Sequence, residues 1–314
     1  MIIQNFIIAV EAVAPMFIVM AIGVLVRRRG MVSGDDVKRM NKLIFNALFP
    51  VMMFSNLYGM DFADAVNPKL MVTGAAILLT VYAASFIIVM KIEKDRRCRG
   101  AMIQAIFRSN FVIMGLPIVG NIFGSENLGM TTVMMTIIVP MYNILAVTTL
   151  EIFRGGKVSA GHIIKEIFRN PLIIGAIVGI TAVVTQMKVP YLVENTVDML
   201  AAAATPMSLI MLGASFDVQS IGRCRRNLIV CVLGRLIAVP AFALTVGILM
   251  GFRDVALVTL IAIFAAPCAV SSYTMAQQMD SDAELAGNTV IFSSLLSCIT
   301  MFLWIFMLKN FGLF

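Results

Sequence analysis

The sequence predicts an all-α polytopic membrane protein of ten transmembrane helices, built as two inverted five-helix repeats in which the fourth and ninth helices are broken. Three observations carry this expectation. The 314 residues are 60% hydrophobic and 13% charged, with a mean hydropathy of +0.96, whereas a soluble domain is nearer a quarter charged. Ten apolar runs approach the ~20 residues that a helix needs to cross a bilayer. Six of the ten prolines form two triplets, Pro15, Pro50, Pro117 and Pro171, Pro206, Pro267, offset by 156, 156 and 150 residues, each in the corresponding run of its half.

The runs cover 5–26, 40–59, 69–90, 101–123, 130–153, 167–187, 195–216, 227–250, 255–278 and 285–308. The first has no basic stretch before it and ends in Arg27, Arg28 and Arg29. That is the reverse of a cleavable signal peptide, so the run is read as the first span. The second holds Asn46 and Pro50, and the fourth holds Arg108, Ser109, Asn110 and Pro117. In the fifth, Thr132, Thr136, Pro140 and Asn143 stand at i, i+4, i+8 and i+11, one face of a helix. Thr289, Ser293, Ser297 and Thr300 repeat that spacing in the tenth at an offset of 157. Such a face serves either close helix packing or a polar pathway. The second copy begins after Gly155 and Gly156, dividing the chain into units 1–153 and 162–314. Five spans per unit is an odd number, so the second copy enters from the opposite face and the repeat is inverted.

Charge supports one orientation. With their flanks, the first, third, fifth and seventh connections carry 6, 5, 4 and 3 of the 24 Lys and Arg residues; Lys69, Lys188, Arg253 and Lys309 lie on the other side, and Arg108 and Arg235 lie inside spans. Basic connections mark the cytoplasmic face, which places both termini outside the cytoplasm and the chain in the cell (inner) membrane. The net charge of +7 is thereby topology, and a nucleic-acid partner is not expected. The five cysteines lack metal-ligand spacing and read as small apolar fillers. His162, the single histidine, falls in a connection, so no histidine is expected in a helix. No HExxH or GxGD motif is present, and an intramembrane enzyme is not expected.

The broken helices are where chemistry is expected. A proline removes a backbone N–H and clashes with the carbonyl four residues back, and the freed groups survive in a bilayer only beneath protein or beside a wet cavity. Around Pro117, Asn110 offers a donor and an acceptor and Gly115 lets the chain turn; around Pro267 stand Ser271, Ser272 and Gln277. If both helices break near the midplane, the N-termini of their second halves present N–H groups and partial positive charge to one place, and an anion is the natural occupant. A pair of plain kinks is the alternative. Arg108 draws an anion toward the crossing or extends to the interface; Arg235 pairs or snorkels. Glu11 and Asp198 are either interfacial or titrating coupling acids.

The segments NKLIFNALFP (41–50), NFVIMGLP (110–117), AAAATPMSLIMLGASF (201–216) and ELAGNTVIFSSLLS (284–297) resemble the auxin efflux carrier family, whose plant members are the PIN-FORMED transporters. The resemblance runs the length of the chain in order. It implies a fold similar to the bile acid sodium symporters, with a scaffold part and a transport part whose fourth and ninth helices cross. It also implies that Asn110 contacts a substrate carboxylate and that Pro117 and Pro267 mark the crossing. Bacterial relatives are associated with dicarboxylates such as malate and malonate. Plant members have a proline where this chain has Ser272, a lysine where it has Gln277, and an acid near Thr73 and Gly74.

The expectation is therefore a secondary transporter moving a small organic anion, a dicarboxylate or an auxin-like acid, by alternating access. Its substrate site is drawn from Asn110, Pro117, Pro267, Ser271, Ser272, Gln277, Asn46, Thr136 and Asn143, with Arg108, Glu11 and Asp198 for coupling or steering. No cofactor is expected beyond a coupling ion, H+ or Na+. The alternative is a sodium-coupled symporter with Na+ at Ser109, Asn110 and Gln277, and a channel or sensor of the same fold stands behind it. The lipid bilayer is the one assured partner, and a homodimer is left open.

Overall fold

A computed structural model describes residues 2–58, 66–124, 127–154 and 160–314. Within them are 13 helices and no strand, counting a helix that passes through a π turn as one. They are α1 (Ile2–Arg28), α2 (34–58), α3 (Pro68–Ile92), α4 (Arg96–Phe107), α5 (Phe111–Phe123), α6 (Gly129–Phe153), α7 (Ala160–Arg169), α8 (Pro171–Val184), α9 (Tyr191–Ala214), α10 (218–249), α11 (Asp254–Ala265), α12 (Ser271–Gln278) and α13 (Ala283–Asn310). α3, α6, α9, α10 and α13 are each long and apolar enough to cross a bilayer; α8 and α11 are shorter apolar helices.

Local chemistry sets the helix starts. Ser33 caps α2, its Oγ accepting the Asp36 N–H at 3.1 Å while the Asp36 carboxylate accepts the Ser33 N–H at 2.9 Å. The Ser33 hydroxyl first, and then its backbone N–H, hold the Asp36 carboxyl below its ordinary range. Asn67, Asp95, Asn170, Asp217 and Asp282 cap α3, α4, α8, α10 and α13 in the same way, through side-chain oxygens. Pro68 and Pro171 each stand at the first helical position, where the missing N–H has no partner to lose.

The sixth run is thus two helices. Asn170 stops the amphipathic α7 and starts α8, so Pro171 opens a helix whereas Pro15 lies inside one. The first proline pair is therefore not equivalent. His162 lies in α7, against the expectation of no histidine in a helix, because Ala160–Arg169 completes turns of its own before Asn170. The His162 and Glu11 side chains lie outside the described residues, as do Gly155 and Gly156.

Two π turns, Ile44–Leu48 in α2 and Gly234–Ala238 in α10, each come just before a proline, Pro50 and Pro240. Packing then sorts the helices. α1 lies along α9, and α2 lies along both α8 and α9. α4, in contrast, is surrounded by α3, α6, α10, α12 and α13, while α5 packs on α11. The first group is held by backbone-to-backbone approach: a Cβ on Gly23 would strike the Ile210 carbonyl, one on Gly213 the Met20 carbonyl, and one on Gly175 the Pro50 carbonyl. Small residues permit such contact between membrane helices, where burial of apolar surface gives little drive. The opposite faces present Ile18, Ile22, Val72, Leu79, Val184 and Leu303 to the exterior, as a lipid-facing surface requires.

The reciprocal glycines make a direct test. Gly213→Ala is expected to destabilise the protein in detergent by about 1–3 kcal/mol, since the α1–α9 crossing has no room. Gly222→Ala, where a Cβ meets nothing within 4 Å, is expected to be neutral or stabilising by up to about 1 kcal/mol; thermal unfolding of the two variants reads the difference.

Candidate functional site

Between α4 and α5 the backbone leaves the helix at Arg108 (φ −87°, ψ 127°) and returns after Asn110 (φ −94°, ψ 42°). Between α11 and α12 it leaves at Ala266 (φ −61°, ψ 150°), the extended conformation that a following proline imposes. The two gaps meet: Ser109 and Cys268 form an antiparallel bridge, and the Asn110 N–H donates to the Pro267 carbonyl at 2.8 Å. Ser293 supports the second gap, its Oγ accepting the Cys268 N–H at 3.0 Å.

The first break is therefore not at Pro117, which sits inside α5. The chain opens at 108–110 because there the partner gap supplies backbone bonds that hydrocarbon cannot. Gly115 does not turn the chain either. It lies within α5, and a Cβ there would come 2.8 Å from the Ala262 Cβ and 2.9 Å from its carbonyl oxygen, so its role is the close approach of α5 to α11.

Each break frees carbonyls on one side and amides on the other, and the structure treats the two sides differently. The carbonyls belong to Arg235. Fully buried in the α10 π turn, its guanidinium donates to Ile106 (3.2 Å) and Phe107 (3.0 Å) at the end of α4, and to Ile263 (3.2 Å), Phe264 (2.6 Å) and Ala266 (2.8 Å) at the end of α11. Arg235 thus neither ion-pairs nor snorkels; it is a cation placed at two helix C-termini, the favourable end of each dipole. The fork suits a guanidinium and not an ammonium.

The amide side faces a cavity of about 480 Å³. Residues 108–112 and 269–271 line it, with Phe49, Met52, Met53, Ser55 and Asn56 of α2, Val139, Tyr142 and Asn143 of α6, and Asp198, Ala201, Ala202, Thr205, Pro206 and Ser208 of α9. The first three amides of α5 have no intrahelical acceptor. At α12 the Ser272 and Tyr273 amides are taken up by the Ala269 and Val270 carbonyls, so α5 supplies more of the exposed N–H groups than its counterpart. Asn110 is 7% exposed, does not cap its own helix, and its Nδ2 has no acceptor among the described residues. Arg108, 4% exposed, donates to Asn143 Oδ1 at 2.8 Å and to Met275 Sδ at 2.6 Å, and no described ion pair includes it. Ser109 donates to the Tyr142 hydroxyl at 3.2 Å. Asp198 lines the α9 side and accepts the Ser55 hydroxyl at 2.7 Å.

Of the expected site residues, the cavity gathers Ser109, Asn110, Asn143, Ser271, Arg108 and Asp198. Pro267 stands behind it, contributing its carbonyl to Asn110. Ser272 is buried off the cavity, and Thr136 bonds the Val133 carbonyl of its own helix. Asn46 lies in the α2 π turn, donates to the Lys42 carbonyl and lines a separate recess of about 230 Å³. Gln277 lines a second cavity of about 440 Å³ and accepts from Asn41 Nδ2 at 2.6 Å, so the set Ser109, Asn110 and Gln277 is not brought together for an ion. Tyr142, Ser55, Asn56 and Thr205 enter the cavity unforeseen; Tyr142 lies beside Asn143 but off the face that the i, i+4 spacing selects.

Arg235→Lys keeps the charge yet cannot reach both helix ends. It is expected to destabilise the protein by about 3–5 kcal/mol, read as earlier thermal unfolding in detergent, with Arg235→Met at least as severe.

Among known proteins, a transporter of Methanothermobacter thermautotrophicus, described as uncharacterized, is 22% identical over 300 residues, spanning 94% of this chain and 96% of the relative. The family described as membrane transport protein matches residues 8–305. Broken apolar helices crossing over a polar cavity, together with that match across nearly the whole chain, place the protein in the auxin efflux carrier family of membrane transporters, and not among enzymes.

Proposed function

We propose that the protein is a secondary carrier of a small organic anion, whose carboxylate sits at the crossing against Asn110, Arg108 and the N-terminus of α5. One observation carries the reading: among the described residues, a buried carboxamide without an acceptor and a buried guanidinium without a carboxylate belong to two residues that line the same cavity. A carboxylate accepts from both, and the helix dipole favours it there. The proposal takes the chain as ten crossings in two inverted repeats, 1–153 and 162–314, with α4–α5 and α11–α12 as the broken fourth and ninth. Both termini then face away from the cytoplasm.

The packing supports alternating access. In this reading α1, α2, α8 and α9 form the scaffold, and the elements bearing the crossing move against it. The main cavity opens toward the end of α2 and the start of α9, the sparsely basic face. The second cavity, with Arg27 and Lys38 on its wall, opens toward the basic one. Between them lies a closed polar contact across the scaffold boundary. Asn41 donates to Gln277 Oε1 and to the Tyr273 hydroxyl (3.3 Å), Thr274 donates to Asn41 Oδ1 (3.3 Å), and Ser208 bonds Thr274 (2.8 Å). This is the inner gate, shut while the outer side is open.

Uptake of labelled carboxylates into proteoliposomes, with sodium and pH gradients imposed separately, tests the function and reads the coupling ion. Asn110→Ala is expected to lower kcat/KM about tenfold or more, the worth of a hydrogen bond to a charged group, with thermal stability retained; unchanged transport would remove Asn110 from the site. For the gate, Asn41→Cys with Gln277→Cys in a background lacking the five native cysteines should stop uptake when oxidised and restore it on reduction. Full cross-linking with undiminished uptake would overturn the gate.

A further inference from the structure

The cavity has two ends of opposite charge. At the crossing, the lining contributes Arg108, Asn110 and helical amides; on the α9 side it contributes Asp198, with Ser55 and Asn56 of α2 beside it. These are the two charged side chains among the lining residues. Neither neutralises the other's surroundings: Arg108 bonds Asn143 and Met275, while Asp198 bonds Ser55, and no described ion pair includes either. Asp198 stands seven residues before Thr205, which reaches Met52, the neighbour of Met53, whose Sδ accepts from Asn143, the partner of Arg108. At 1.5 Å per residue that is about 10 Å along the α9 axis. The stretch between is walled by Met52, Ala201 and Ala202.

We infer that the occupant carries one carboxylate, and at its far end a neutral hydrogen-bonding or cationic group such as an ammonium, with a short apolar stem between. The inference rests on the carboxylate reading above and deepens it. A second carboxylate at the far end would face Asp198 with no further cation on the wall, a like-charge contact that selects against it. An ammonium there donates to Asp198 and to the Ser55 and Asn56 oxygens, and the zwitterion matches the net neutrality of the lining. The class is therefore ω-amino or ω-hydroxy acids, against the dicarboxylates that the family resemblance implies.

Three ligands of equal carbon number separate the cases: δ-aminovalerate, valerate and glutarate, each measured for binding to the purified protein and for competition in proteoliposomes. The expected order of affinity is δ-aminovalerate, valerate, glutarate, with steps of up to about fivefold, the upper range for an exposed ion pair. Asp198→Asn is expected to narrow both steps, weakening δ-aminovalerate and strengthening glutarate while valerate is unchanged. Asp198 is exposed, so the variant leaves the buried core untouched, and the wild-type order stands as a test without any variant. Glutarate binding as tightly as δ-aminovalerate, or an order unaltered by Asp198→Asn, overturns the inference and leaves the carboxylate site standing if valerate binding depends on Asn110. Binding of none of the three overturns the carboxylate reading, and this inference with it.

Discussion

A helix interrupted inside a bilayer strands backbone groups on both sides of the gap, and each left unsatisfied costs several kcal/mol because no water is there to take its place. The arrangement of this protein follows from how that constraint is met twice in one location. Two gaps placed face to face bond each other through the Ser109–Cys268 bridge and the Asn110 amide. That pairing still leaves the carbonyl ends of α4 and α11, and one guanidinium satisfies five of those oxygens. With the carbonyl side closed by protein, the amide side alone faces the cavity. In the carrier proposed above, that asymmetry favours an anion, since negative dipole ends already occupied by a cation leave only the positive ends to a guest.

The apolar wall is equally tied to this geometry. α2 and α9 form the side of the cavity opposite the crossing, and they are held in register by packing so close that main chain touches main chain at Gly23, Gly175 and Gly213. Rigid support on one side and a bonded crossing on the other leave the polar contact at Asn41, Tyr273, Thr274 and Gln277 as the seam between two groups of helices. Side-chain hydrogen bonds of this kind are individually worth about a kilocalorie, a strength that suits the opening and reclosing proposed for this seam.

Much of the all-helical fold was legible because hydrophobic run length is a local property. Within the described residues the apolar runs are helical, three of them divided between two helices, and Pro267 breaks its helix as the chemistry of proline dictates. The site was legible in part. Asn110, Asn143, Ser271, Arg108 and Asp198 share a cavity, since polar residues in otherwise apolar runs seldom lack a polar surrounding. Beyond the crossing of the fourth and ninth helices, the sequence could not show which distant segments meet. The break at 108–110 contains no proline, and its cause lies at Cys268; Pro117, the stronger local signal, is carried inside a continuous helix. Arg235 finds partners at positions 106–107 and 263–266, and Asn41 finds Gln277. Asn46 and Gln277 were misplaced for the same reason: periodicity tells that a residue is polar and inside a run, but not which side of the barrier it faces.

The grip of Arg235 has a mechanical meaning. Because one planar group holds the tips of α4 and α11 together, neither half-helix can swing by itself without tearing bonds from the other, and α10 is fastened to both through its π turn. The crossing is thus yoked into a single assembly. In the alternating access proposed above, this whole block would be displaced past its support, with the local shape around the cargo preserved throughout.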